Sequence, residues 1–278
     1  MAWRRSRVRA PLAPLFGHRA KHGEQHPRPT LGAMARSREF EVVRERSPNR
    51  CSKRAAVGRP SHFKWLSVMR AISVSESLTW WLAPHPAWRP NSDWPEEVGF
   101  ATWESSDSYV FIDPLIRDDR DEDAWVLFDQ AVFTWNRPVA VLLTAPWHER
   151  STRAVSARYD AAVWIHPHGR ARLADLPELA ELPRGVEAFV PGGMNEGQVA
   201  FHIVPERSLV VAEFFLGTEA GLQVLPSPAL NDPAAFAESL GQLRNQAIER
   251  VLVAHGPSVF SRGDDAINAA LDAFSPEH

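Results

Sequence analysis

The hydrophobic pattern changes character near Met69. Before it, apolar residues are scattered singly among Arg, Pro, Ser and His, without a period. After it they gather into short runs separated by turn-forming residues, the signature of a packed body. Ala71-Ile72-Ser73-Val74 and Leu78-Thr79-Trp80-Trp81-Leu82 read as strands. Val98 to Glu104 and Tyr109 to Asp113 read as a strand pair turning through Ser105-Ser106-Asp107-Ser108. Asp118 to Trp135 is the clearest helix, because Ala124, Leu127, Phe128, Ala131, Val132 and Trp135 recur on one stripe. The acids Asp118, Asp119, Asp121, Glu122 and Asp123 sit near its amino end, where the helix dipole favours them, and Arg137-Pro138 stops it.

Val139 to Thr144 is an unbroken, largely apolar run, as expected of a parallel strand buried on both faces. It ends in Ala145-Pro146-Trp147-His148-Glu149-Arg150. Ser151 or Thr152 can then cap a helix to Tyr159, and Ala161 to Ile165 is a strand ending in His166-Pro167-His168. Strand, polar loop, helix, strand is the arrangement that places chemistry at the carboxyl end of a strand. Leu173 to Leu182, interrupted by Pro177, predicts a broken helix. Val186 to Val190 is a strand, followed by the loop Pro191 to Gly197. Gln198 to Val204 and Ser208 to Phe214 form a hairpin through Pro205-Glu206-Arg207. Asn231 caps a helix begun by Pro233, with Phe236, Leu240 and Leu243 on one face. Val251 to Ala254 is the last strand, ending in His255-Gly256-Pro257. Gly263 to Phe274 closes the chain as a helix with Ala266, Ala270 and Phe274 inward. The alternation predicts an α/β body, residues 69–278, preceded by an extension, residues 1–68. No glycine-rich phosphate loop is present, so mononucleotide and dinucleotide binding are not favoured.

Charge sharpens this division. Residues 1–68 carry 16 Lys+Arg and 4 Asp+Glu, and the remainder carries 15 and 30, so a net charge of −3 conceals a basic arm and an acidic body. The arm fits a nucleic-acid or acidic-partner tail, a transit peptide, or an unstructured extension, with Met34 and Met69 as alternative starts. The single cysteine, Cys51, excludes an intrachain disulfide and a cysteine-based zinc knuckle. No run reaches the roughly 18 apolar residues of a membrane span. A soluble, cytoplasmic protein that does not bind membranes is expected. Five tryptophans between Trp80 and Trp103 suit either core anchors or a stacking platform for a ligand.

Taken in order, these elements resemble the metallo-β-lactamase fold superfamily from about Ile72 to Phe274. Ile112-Asp113-Pro114 and Leu142-Leu143-Thr144 resemble the lead-in to its H-x-H-x-D-H metal loop. Pro191-Gly192-Gly193-Met194-Asn195-Glu196-Gly197 looks like the segment of the next histidine. Leu209 to Glu213 looks like the strand of the metal-bridging aspartate, and Val251 to Gly256 like that of the last histidine. The resemblance implies an αββα sandwich of two mixed sheets with metals at one edge. In this register the loop histidines fall on Ala145, Trp147 and Arg150, and the loop aspartate on Glu149. The later histidine falls on Gly193 and the bridging aspartate on Glu213; only His255 keeps the family's residue type.

Alanine, tryptophan and glycine offer zinc no lone pair, and arginine puts a fixed cation where an ion would sit. The expectation is a fold member without the dinuclear centre and with no cofactor, binding a small molecule or a protein partner. The pocket residues are Asp113, Trp147, Arg150, Gly193 and His168, around His148, Glu149, Glu213 and His255. The alternative is a hydrolase of the ester, phosphodiester or lactam type. In it His148, Glu149, Glu213 and His255, with His166 or His168, hold one divalent metal (zinc, manganese or iron) or work as metal-free acid and base. His166 and His168 read equally as surface histidines, His202 as structural, and Asp113 before Pro114 as a turn former. Nucleic-acid binding through the arm is the least favoured reading.

Overall fold

Tyr109-Val110-Phe111-Ile112 and Val139-Ala140-Val141-Leu142 are buried at every position, which only a strand covered on both faces can be. In a computed structural model of the protein, which describes residues 69–116, 122–194, 197–226 and 230–276, they are the centre of a six-stranded mixed sheet. Its order is β1 (Arg70–Ser73), β2 (Leu78–Pro84), β3 (Glu97–Glu104), β4 (Tyr109–Ile112), β5 (Val139–Leu142) and β6 (Ala162–Trp164). The first three pairings are antiparallel; β4 to β5 and β5 to β6 are parallel, as a strand–helix–strand crossover requires. The crossover helices are α1 (Glu122–Trp135) and α2 (Thr152–Tyr159).

The second sheet, also mixed, contains β7 (Val186–Phe189), β8 (Ala200–Ile203), β9 (Ser208–Val211) and β12 (Arg250–Val253), in the order β12-β9-β8-β7. Strand β12 runs parallel to β9 and the other pairs are antiparallel. A separate hairpin, β10 (Phe215–Thr218) and β11 (Gly221–Val224), lies in the chain between β9 and α3 (Pro233–Leu240); α4 (Gly263–Ala273) ends the fold.

Three apolar layers hold these parts together. Trp80, Trp103, Ile112, Leu142, Phe201, Val210 and Leu252 fill the space between the sheets. Phe100, Phe111, Phe128, Val141 and Val155 form the layer under α1 and α2. Val211, Phe214, Phe236, Leu240, Val253 and Ile267 form the layer under α3 and α4. Helix, sheet, sheet, helix is the αββα sandwich that the resemblance implies. The sheets also meet at one edge: Gly99 N–H donates to the Ala254 carbonyl at 2.9 Å, and Val98 bridges His255. That contact brings the carboxyl end of β12 beside β3, and the site forms there.

Several local expectations change. On α1 the buried residues are Ala124, Trp125, Phe128 and Val132, whereas Leu127 is exposed. The stripe is turned because Trp125 is claimed by α2, against Tyr159 and under the Arg158 guanidinium. Residues 118–121 of the expected helix lie outside the described residues, as does the arm, residues 1–68. Ser151 does not cap α2; its hydroxyl donates to the Ile116 carbonyl at 2.8 Å and accepts from Ile116 N–H at 2.9 Å. Asp232, not Asn231, caps α3 by accepting from Ala235 N–H at 3.0 Å. Leu173 to Leu182 is not a broken helix: a 3-10 helix, Pro167–Leu173, precedes it, and Glu178 bridges Val163 at the sheet edge. Pro177 supplies the carbonyl for Val163 N–H instead of continuing a helix.

Candidate functional site

Asp113 follows β4 with φ of 53°, a left-handed turn that carries its carboxylate under the end of β5. The carboxylate is buried and fully engaged. It accepts Thr144 N–H at 2.9 Å, the Thr144 hydroxyl, and His148 Nδ1–H at 2.9 Å. Burial pushes the Asp113 carboxyl up, but the His148 ring, the Arg150 guanidinium and the Thr144 hydroxyl outweigh it and hold it below the usual range. An acceptor at Nδ1 leaves His148 Nε2 as the atom offered to the rest of the site.

Around Nε2 stand three groups. Arg150 Nη2 lies 3.4 Å away, Glu213 Oε1 lies 3.6 Å away, and His255 Nε2 approaches the same Glu213 oxygen at 3.9 Å. Arg150 is locked in place: its Nη1 donates to the carbonyls of Gly99 at 3.1 Å and Asp113 at 3.3 Å. Its charge is countered by Asp113 and Glu213. Trp147 Nε1 donates to Glu213 Oε1 at 2.9 Å. Burial favours protonated Glu213, yet the neighbouring His148 and His255 rings and the hydrogen bond from Trp147 hold it far below the carboxylate range, so it is anionic at neutral pH.

These groups form the floor of an open cavity of about 820 Å³. Trp94, Pro95, Trp147, Leu216, Leu225 and Pro257 give it apolar walls, and Asp93, Thr218 and Glu219 add polar edges. Trp94 packs edge-on against both His85 and His255, with ring centroids 5.0 and 5.6 Å apart. His85 completes the floor. Its burial and the neighbouring Arg150, His148 and His255 lower its pKa to about 4, so it is neutral at pH 7.

Of the residues singled out in the sequence, Asp113, Trp147, His148, Arg150, Glu213 and His255 converge here. Three do not. Glu149 turns away to Arg172 Nη2 at 3.7 Å. His168 stacks edge-on with His166 on the 3-10 helix after β6. Gly193 lies beneath α3, where a Cβ would stand 2.1 Å from the Asp232 carbonyl and 2.6 Å from Phe236 N. Three parts of the cavity escaped the sequence reading: His85, Asp93 and the β10–β11 hairpin. The hairpin had a signal, since Phe215-Leu216-Gly217-Thr218 and Gly221-Leu222-Gln223-Val224 flank a two-residue turn. Of the five tryptophans, Trp80 and Trp103 are core, and Trp94 alone lines the cavity.

A pair of metals does not fit these residues. Ala145 and Gly193 have no donor atom, Trp147 forms a wall, Glu149 points elsewhere, and Arg150 brings a cation to the remaining donors. His148, Glu213 and His255 do present one ligand atom each, all within 4.8 Å of one another. That triad would suit a single ion, but the guanidinium stands 3.4 Å from one of its three donor atoms.

No protein-family model matches the sequence. No curated protein matches it either. Solved structures do. A metallo-β-lactamase from Pontibacter korlensis superposes with a TM-score of 0.55 at 13% identity, covering 74% of this chain and 100% of that one. A metallo-β-lactamase from Erythrobacter litoralis gives 0.54 at 14% identity, covering 73% and 91%. A mono-zinc form of an NDM_FIM-1-like enzyme from the same organism gives 0.51 at 15% identity, covering 73% and 95%. The chain has the metallo-β-lactamase fold.

Proposed function

We propose that this chain uses the metallo-β-lactamase fold without a metal, as a protein that binds a small molecule with an apolar body and a polar head. One observation carries the proposal: the Arg150 guanidinium, fixed by two carbonyls, stands among the very donors an ion would need. The cavity supports the binding role. At about 820 Å³ it is within the range of drug-sized sites, and tryptophan, leucine and proline walls surround a small polar floor. Trp94 and Trp147 would cover the apolar body, and His148, Arg150, Glu213 and His255 would fix the polar head. A cytoplasmic setting belongs to this reading; it is supported by the single cysteine, and no helix among the described residues is long and apolar enough to cross a membrane.

Elemental analysis of full-length protein purified without chelator tests the metal-free part. We expect far less than one zinc, manganese or iron per chain, and near-stoichiometric metal would overturn it. A thermal-shift screen tests the binding part. A true ligand at 100 times its Kd adds about 2.7 kcal/mol of stability, and Trp147→Ala should remove that gain.

A second reading, a metal-free hydrolase, is favoured by the Asp113–His148 pair. A carboxylate at Nδ1 orients His148 so that Nε2 faces the cavity, as a general base requires. Ester, phosphodiester, lactone and β-lactam substrates would test it. Turnover that survives the double substitution His148→Ala, His255→Ala would exclude these residues as its source.

A further inference from the structure

We infer that Arg150 is a cation built into the chain in place of a metal ion, and that neutralising it opens a latent single-metal site on His148, Glu213 and His255. The inference rests on the metal-free reading of the same pocket.

The donors are already arranged. Zinc takes imidazole nitrogen and carboxylate oxygen at about 2.0–2.2 Å, so its ligand atoms stand roughly 3.3–3.5 Å apart. Here Glu213 Oε1 is 3.6 Å from His148 Nε2 and 3.9 Å from His255 Nε2, and all three atoms lie within 4.8 Å. A contraction of up to about 1.5 Å along the longest edge would close the triangle. His148 also has the partner a ligating histidine needs, a buried carboxylate on Nδ1 that directs the Nε2 lone pair outward. The Nδ1 of His255 is buried with no partner among the described residues, so this ring lacks the orienting bond that His148 has, while its Nε2 faces Glu213.

What opposes an ion is Arg150. Its guanidinium is held in the site by the Gly99 and Asp113 carbonyls, which accept from Nη1 at 3.1 and 3.3 Å. It also answers a need of the site, being the group that counters the two carboxylates, Asp113 and Glu213. A dication beside a fixed guanidinium is repelled; with that charge removed, two carboxylates are left to attract it. The positive charge of Arg150, more than its bulk, is therefore what keeps metal out.

The test is cobalt(II) binding to the full-length chain, read by visible absorption and calorimetry, in wild type, Arg150→Gln and Arg150→Lys. Wild type and Arg150→Lys should show no stoichiometric site. Arg150→Gln should bind one cobalt about 100-fold more tightly or better, with d–d bands that disappear when His148→Ala or His255→Ala is added. A folded Arg150→Gln protein that gains no site would overturn the inference while leaving the metal-free reading intact. Equal gain in Arg150→Lys would overturn it too, because charge would not be the cause. Metal in the wild type on these histidines would overturn both. If Arg150→Gln does not fold, nitrogen NMR of the wild type decides: His148 should be the neutral Nδ1–H tautomer with Nε2 accepting from Arg150, and an Nε2–H tautomer overturns the inference.

Discussion

Asp113 shows how much of the site depends on one carboxylate. Replacing it with alanine leaves the Thr144 amide, the Thr144 hydroxyl and His148 Nδ1 without their acceptor in a buried place. We expect Asp113→Ala to cost about 3–5 kcal/mol in urea unfolding, and a loss under about 1 kcal/mol would show that the bonds are not formed. Acid should act in two windows. The folded pKa of His85 is lowered to about 4 from 6.5, so between those values the unfolded chain binds the extra proton and stability falls as pH falls. Asp113 and Glu213 have depressed folded values; their contribution is present above the unfolded carboxylate pKa of about 4 and is lost as pH falls below it. Urea midpoints followed against pH should therefore lose part of their slope between pH 4 and 6.5 in His85→Asn, with His166 and His202, also lowered by burial, supplying the rest, and should keep the fall below 4. At this scale the sequence was partly legible. Trp147, His148 and Arg150 stand out as unusual residues at a strand end, and they do meet. Their directions were not legible: Glu149 lies between His148 and Arg150 yet faces Arg172, because the loop turns through Arg150 at a φ of 33°. His85, a lone histidine in an irregular loop, carries no pattern at all.

The strands and helices were more legible than the side chains, because burial on both faces leaves continuous apolar runs and helices leave stripes. What failed were places where a distant partner decides. Trp125 turned the α1 stripe toward α2, and the β10–β11 hairpin leaves only a weak pattern, because glycine, threonine and glutamine hold half of its strand positions. That hairpin is held to the end of β12 by an approach only glycine permits. Gly217 N–H donates to the His255 carbonyl at 3.0 Å, and a Cβ on Gly256 would stand 2.0 Å from the Gly217 carbonyl oxygen, at a φ of 80°. Gly256→Ala must push the hairpin away, moving Leu216 and Thr218 at the cavity wall. We expect a loss of about 2–4 kcal/mol together with weaker binding of any cavity ligand. Gly221→Ala is the control: φ is 117° but a Cβ meets nothing within 4 Å, so only backbone strain of about 1–2 kcal/mol applies and ligand affinity stays unchanged. Equal effects of the two on affinity would mean the hairpin's seat on β12 does not shape the cavity.

At the scale of the whole molecule, the order of the elements made the fold readable, while function was left to the geometry of the site. The same scale raises the question of the basic arm. The three apolar layers and every group of the cavity floor come from the described residues, all of them beyond position 68. A chain beginning at Met69 should unfold within about 0.5 kcal/mol of the full length, the range expected for changes remote from packed structure. Charge should distinguish the two proteins where stability does not. With 16 basic against 4 acidic residues in the arm and 15 against 30 in the remainder, retention on a heparin column should require the arm and should weaken steeply with salt. A shortened chain that loses cooperative unfolding would make the arm part of the folded body. One that is retained as strongly as the full length would move any polyanion-binding surface onto the acidic domain, against its net charge.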